Sequence, residues 1–237
     1  AIHTSPTIPP GVIATRSGTL LASADAFHLA INGKGGHASM PEDAIDPIPA
    51  ACEVVLALQA MVTRRVPAFD PAVVTVAHLA AGTTSNVIPE TAVLEGTVRA
   101  VSGDSRATAL DGVRRIAEKI AAAHLCEAVL TWIPGAYPVT VNSPTVAQQA
   151  LAVARGLLGE ERAYSMPTPI MGAEDWSYVL QQVPGAMAFL GTAPTGVERP
   201  APNHSNRMLL EESAMRNGIA LHAAMALAPW PARSAAA

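Results

Sequence analysis

The sequence predicts an α/β chain interrupted by an inserted α+β domain of ferredoxin-like (βαββαβ) plan, and three observations lead there. The stretch "AFHLAIN" puts Phe27, Leu29 and Ile31 on one face and His28, Ala30 and Asn32 on the other, the period of a half-buried strand. Between residues 24 and 136 the patterns run strand, helix, strand, strand, helix, strand, which is the split βαβ plan of four antiparallel strands under two helices. After residue 136 helical and strand patterns alternate, as in an α/β layer.

The elements follow in order. Residues 1–23 hold a proline-rich loop, "HTSPTIPPGV", and then "IATRSGTLLAS", with room for a short strand or two. Beyond the first domain strand, Ile48, Cys52, Val55, Leu58 and Val62 recur at helical spacing, with Asp46 as N-cap and Pro47 at the first helical position. "AVVTVAHL" reads as a strand, "AAGTTSN" as a glycine-bearing turn, and "TAVLEGTVRAV" as a strand with Arg99 on its polar face. Leu110, Val113, Ile116 and Ile120 mark a second helix, and "AVLTWI" a last strand before Pro134-Gly135. Residues 137–237 then give a helix over 144–158, a loop rich in proline and methionine at 164–171, a helix over 174–182, the strand run "AMAFLG", a loop to His204, and a final helix over 211–227. Residues 1–23 and 137–237 thus read as two parts of one α/β domain, with 24–136 as a satellite inserted between them.

Half of the 237 residues are hydrophobic and 14% are charged, so the chain can bury a sizeable core. A formal net charge of -4 with scattered basic residues gives no footprint for nucleic acid. No apolar run reaches the roughly 20 residues that cross a bilayer, so no membrane partner is expected. Cys52 and Cys126 lie far apart without ligand-like neighbours, and read as two small buried thiols in a reducing, cytoplasmic setting.

The stretch "GKGGHASMP" raises the first chemical question. A phosphate cradle would place its lysine after the last glycine, followed by Ser or Thr and a helix. Lys34 instead precedes Gly35-Gly36, so the glycines serve a sharp turn and a close backbone approach that leave His37 at a rim. Taken alone, His37 is equally a solvated loop residue, Asn86 a turn residue, Arg99 an exposed strand arginine, and Glu174-Asp175 an acidic helix start.

"HTSPTIPPGVIATRSG", "GKGGHASMPEDAIDPI", "TTSNVIPETAVLEGTVRA", "MGAEDWSYVL" and "NHSNRMLLEESAM", in that order, resemble the M20 family of metal-dependent peptidases and amidohydrolases. The similarity is greatest to its branch of aminoacylases, hippurate hydrolases and indoleacetyl-amino-acid hydrolases. The resemblance implies a zinc-peptidase-like catalytic domain, present in part, carrying an inserted dimerisation domain. It implies that His3 and His204 ligate metal in a site of two divalent ions, zinc or manganese. His37 would stabilise the oxyanion of the tetrahedral intermediate from the partner subunit of a homodimer, with Asn86 beside it. Arg99 would grip the substrate's α-carboxylate, and Glu174 would face the substrate.

The family's H-x-C or H-x-D motif, its metal-bridging segment and its Glu-Glu general base have no counterpart here. Glu211-Glu212 falls after His204 and cannot replace that pair. The expectation is therefore that most of the amino-terminal half of the catalytic domain lies outside this chain, since Ala1-Ile2-His3 reads as mid-sequence. The implied activity is hydrolysis of the amide bond of N-acyl amino acids or small peptides, with the fragment alone inactive. The alternative is a non-catalytic dimerisation or peptide-binding module derived from the same family.

Overall fold

The computed structural model describes residues 1–229. The chain begins with β1 (Ile2–Ser5), β2 (Ile13–Thr15), β3 (Gly18–Leu21), β4 (Asp25–Asn32) and β5 (Gly36–His37). Then come α1 (Pro47–Arg65), β6 (Ala72–Ala81), β7 (Val87–Ile88), β8 (Thr91–Ala100), α2 (Gly103–Ala123) and β9 (Glu127–Trp132). The last third holds β10 (Thr140–Asn142), α3 (Pro144–Leu158), β11 (Ala163–Ser165), α4 (Trp176–Leu180), β12 (Ala188–Gly191) and α5 (Met215–Leu227). The described chain divides into two compact units: one is 1–20, 140–170 and the described residues from 175 onward, the other 21–139 and 171–174.

The second unit is an antiparallel sheet in the order β6-β8-β4-β9, with α1 and α2 packed on one face. The alternation read from "AFHLAIN" sets the register: Phe27 opposes Gly96, Leu29 opposes Leu94 and Ile31 opposes Ala92, all buried toward the helices. Val54 and Leu58 of α1 and Val113 of α2 complete this core at full burial, each contributing about 1.5–3 kcal/mol. Gly96 has to be glycine, because a Cβ there would collide with the Phe27 ring and the Thr75 carbonyl. Asp46 caps α1 by accepting the Ile48 N–H at 2.9 Å, ahead of Pro47 at the first helical position. Ser102 caps α2 in the same way, and Asp70 accepts both its hydroxyl and that of Ser105. The buried carboxylate of Asp25 is held bidentately by Arg106 at 2.7 and 2.8 Å, tying the first strand of the sheet to α2.

The first unit has a smaller sheet in the order β1-β12-β2-β11, with α3 and α5 supplying Leu151, Ala154 and Leu221 to its core. Its hub is polar. The fully buried Asn142 donates to Thr15 Oγ1, the Arg16 carbonyl and the Met187 carbonyl, and accepts the Met187 N–H at 2.8 Å. Both halves of the amide are satisfied, so the side chain staples the end of β2 to the start of β12 without an unpaired group.

Three expectations change. Cys126 is buried, but Cys52 is exposed, because α1 turns that position away from Val54 and Leu58. The helix expected over 174–182 is confined to Trp176–Leu180. The last helix starts at Met215 rather than Glu211, since Glu211 caps a short 3-10 turn at Glu212–Ala214 instead.

Helix α2 ends unusually: the residue after its cap, Leu125, sits in the left-handed region at φ 62°, with its side chain 79% exposed. That conformation is costly for any residue with a Cβ, and here no burial compensates. Leu125→Gly is expected to stabilise the protein by about 1 kcal/mol, raising the melting temperature in a calorimetric scan by about 2–4 °C.

Candidate active site

The polar candidates of the second unit gather around the glycine loop. Beyond β4 the backbone of Lys34 exchanges two hydrogen bonds with that of Ile45, both at 2.9 Å. This closeness excludes side chains: a Cβ on Gly33 would fall on the Ile45 carbonyl oxygen, and one on Gly36 would lie 2.8 Å from the Ala44 Cβ. So clamped, the chain runs alongside β7, with Gly36 opposite Ile88 and His37 opposite Val87, and the Ala38 N–H donates to the Asn86 carbonyl at 3.1 Å. His37 and Asn86 are therefore neighbours, both solvent-exposed.

Hydrogen bonds fix which atoms they present. Nδ1 of His37 accepts the Ser39 N–H at 3.1 Å and lies 2.8 Å from the Ser39 hydroxyl. An Nδ1 that accepts has no proton, so the neutral ring carries its proton on Nε2. Asn86 Oδ1 accepts the Thr84 hydroxyl at 3.1 Å, which leaves the amide NH₂ as its outward group. Each side chain offers an N–H donor.

Arg99 lies half-buried on β8, on the sheet face opposite the helices and across from Val73. Four residues earlier on that face, Glu95 lies 3.5 Å from His78 of β6, both well exposed. Glu174 is half-buried just ahead of α4, and Asp175 occupies the N-cap position without a side-chain capping bond.

The histidine candidates of the first unit lie on β1 and on the long loop before α5. His3 Nδ1 is 2.6 Å from the Thr4 carbonyl, which can only accept, so Nδ1 carries the proton and the lone pair of the neutral ring is on Nε2, the form in which an imidazole could ligate a metal. Its ring meets Phe189 edge-on, with centroids 6.0 Å apart. Asn203 donates to the same Thr4 carbonyl at 3.3 Å, so the loop carrying His204 is tied to the strand carrying His3. His204 itself is exposed and left-handed, φ 68°, a strained state for a residue with a Cβ. A neutral imidazole nitrogen such as that of His3 suits zinc. No group of three or more His, Cys, Asp or Glu able to hold a metal occurs among the described residues. An apolar hollow of about 260 Å³, walled by Ile2, Val146, Trp176, Leu221 and Met225, contains none of the candidates.

Sequence reading missed Ser39 and Thr84. Their signal was present: a hydroxyl residue two positions from a polar loop residue is the spacing of a local side-chain hydrogen bond.

Comparison with known proteins is consistent along the chain. Residues 21–124 match the family model described as the M20 peptidase dimerisation domain. Thermostable carboxypeptidase 2 of Saccharolobus solfataricus is 34% identical over 226 residues, covering 95% of this chain and 56% of that protein. IAA-amino acid hydrolase ILR1-like 2 of Arabidopsis thaliana is 38% identical, covering 95% of this chain and 51% of that protein. A solved Bacillus subtilis structure, described as a dinuclear metal-binding peptidase from the M20 family, superposes with a TM-score of 0.74 at 32% identity, covering 95% of this chain and 55% of the other. The chain thus spans about half the length of the curated relatives it matches.

The His204 loop is closed at its base by Glu211. Its N–H donates to the Thr192 carbonyl at 3.0 Å, and its carboxylate accepts the hydroxyls of Ser213 at 2.7 Å and Thr195 at 3.1 Å. The Ser213 bonds, followed by those of Thr195, hold this carboxyl below its ordinary value of 4.5. A carboxyl depressed on folding stabilises above its unfolded value and loses that contribution as pH falls through the folded one. Amide exchange at Ser213 is therefore expected to be protected at neutral pH and to lose protection, relative to the Asn142 hub, once the pH drops below about 4.5; unchanged relative protection would contradict this closure.

Proposed function

The chain belongs to the M20 peptidases and amidohydrolases, with residues 21–124 as their dimerisation domain, and on that premise we propose that it serves metal-dependent hydrolysis of the amide bond of N-acyl amino acids or small peptides. The observation that carries the reading is the pairing of the segments that carry His37 and Asn86, two solvent-exposed side chains that each offer an N–H donor. Such donors suit an oxygen that becomes negative as a carbonyl turns tetrahedral, and losing one costs about 10²–10³ in kcat.

In this reading His3 and His204 hold metal through neutral imidazole nitrogens, the remaining ligands coming from polypeptide beyond this chain. A pair of zinc or manganese ions held there would lower the pKa of a bound water so that a hydroxide nucleophile is available near neutral pH. His37 donates from Nε2 to the developing oxyanion of the partner subunit's substrate, with Asn86 as second donor, which makes a homodimer through 24–136 the working form. Arg99 binds the substrate carboxylate with its planar fork, and Glu174 faces the rest of the substrate. A non-catalytic dimerisation module is the second reading, favoured by the match of residues 21–124 to the dimerisation-domain model.

Metal analysis and assays on N-acetyl and N-benzoyl amino acids, made on this chain joined to the polypeptide that supplies the remaining ligands, separate the two readings. The enzymatic reading expects zinc or manganese retained in stoichiometric amount with measurable hydrolysis. It further expects His37→Ala to lower kcat by about 10² and Arg99→Lys to raise KM about tenfold. A dimer that retains no metal and leaves every substrate intact would establish the module reading instead.

A further inference from the structure

The His37 ring is gripped from its rear by one residue. Ser39 contributes both its backbone N–H, 3.1 Å from Nδ1, and its hydroxyl, 2.8 Å from the same nitrogen. Two contacts from a single residue on one ring nitrogen determine both where the proton sits and how the ring is turned. With its proton on Nδ1 the ring would meet the Ser39 amide donor to donor; with Nδ1 bare, the proton goes to Nε2, on the far edge. Thr84 does the corresponding task for Asn86, its hydroxyl 3.1 Å from Oδ1 selecting the amide orientation that turns NH₂ outward.

Among the described residues neither hydroxyl has another hydrogen-bond partner. Ser39 and Thr84 are exposed, cap no helix and contribute nothing to either core. The ladder of β5 and β7 and the Lys34–Ile45 clamp already hold the loop in place through backbone bonds, so its path does not require them. What remains is orientation of the two donors.

We propose that Ser39 is a positioning residue, which holds His37 in the Nε2–H tautomer with that N–H turned outward, and that Thr84 does the same for the Asn86 amide. The inference rests on the oxyanion role given to His37 above. It deepens that role by explaining why the donor needs no rearrangement when charge develops. A histidine free to rotate and to exchange tautomers would offer its N–H only part of the time. Partners that orient a functional imidazole in this way are worth about tenfold or more when removed.

The test uses the ¹⁵N-labelled full chain at pH about 8, above the ordinary histidine range, with long-range ¹H–¹⁵N correlation of the His37 ring. In the wild type, Nδ1 is expected to show the shift of an unprotonated nitrogen that accepts a hydrogen bond, and the Nε2 proton to be visible. Ser39→Ala, which keeps the backbone N–H and removes the hydroxyl, is expected to move Nδ1 part of the way toward the value of a free imidazole and to speed exchange of the Nε2 proton with water, while Ser39→Thr restores both. Thr84→Val is expected to shift the Asn86 side-chain amide and leave His37 unchanged. Ser39→Ala with unaltered Nδ1 shift and proton exchange would overturn the proposal, and so would an Nδ1 that carries the proton in the wild type. In the hydrolysis assay Ser39→Ala should lower kcat about tenfold at unchanged KM. If Ser39→Ala shifts the ring while His37→Ala leaves turnover intact, the grip stands and the oxyanion role falls. If His37→Ala abolishes turnover while Ser39→Ala changes neither ring nor kcat, the grip falls and the role stands.

Discussion

What the candidate site depends on is how closely two stretches of backbone approach between residues 33 and 45. The Lys34–Ile45 hydrogen bonds can form only because Gly33 and Gly36 carry no Cβ to strike Ile45 and Ala44. That contact sends the chain alongside Val87–Ile88, and the two-residue ladder there sets His37 beside Asn86. The cost falls on the unfolded side, since glycines lose more conformational freedom on folding than other residues. Antiparallel strands β4 and β8, whose core-facing Phe27, Leu29, Leu94 and Val98 are fully buried, provide the stability that offsets it. Position comes from packing and from the close approach that the glycines permit.

The first unit follows another logic. Its sheet is short, and a single buried amide, Asn142, joins two of its strands through satisfied bonds. On such a sheet the His204 loop can hold a strained φ, because Asn203 anchors it to Thr4 and Glu211 closes its base. Strain persists only where neighbouring contacts over-determine it, and in functional loops it accompanies side chains held for a purpose.

Where the sequence carried local physics, fold and sequence agree. Helix α3 occupies 144–158 as expected, because Pro144 fits the first helical position and Gly159 adopts φ 102° just past the end. The alternation in β4 and β8 exposed the core face and put Arg99 on the opposite one. The misses arise where tertiary contacts decide. Cys52 was expected to be buried as an isolated thiol at the helix's apolar spacing, but α1 buries Val54, Leu58 and Met61 and leaves position 52 in solvent. The start of the last helix moved because Glu211 used its carboxylate on Ser213 and Thr195, a choice that depends on where the 192–211 loop returns. The β5–β7 ladder joins residues fifty apart through two pairs, too few to leave a periodic trace. Ser39 and Thr84 were legible only as turn residues, since their value lies in which atom of a neighbour they touch.

Addition of a phosphinate analogue of an N-acyl amino acid to the ¹⁵N-labelled chain, followed residue by residue, tests the central claim most directly. The account predicts that the His37 Nε2 proton, the Asn86 side-chain amide and the Arg99 guanidinium respond together and saturate at one analogue concentration. Saturable perturbations that leave those three groups untouched would contradict it.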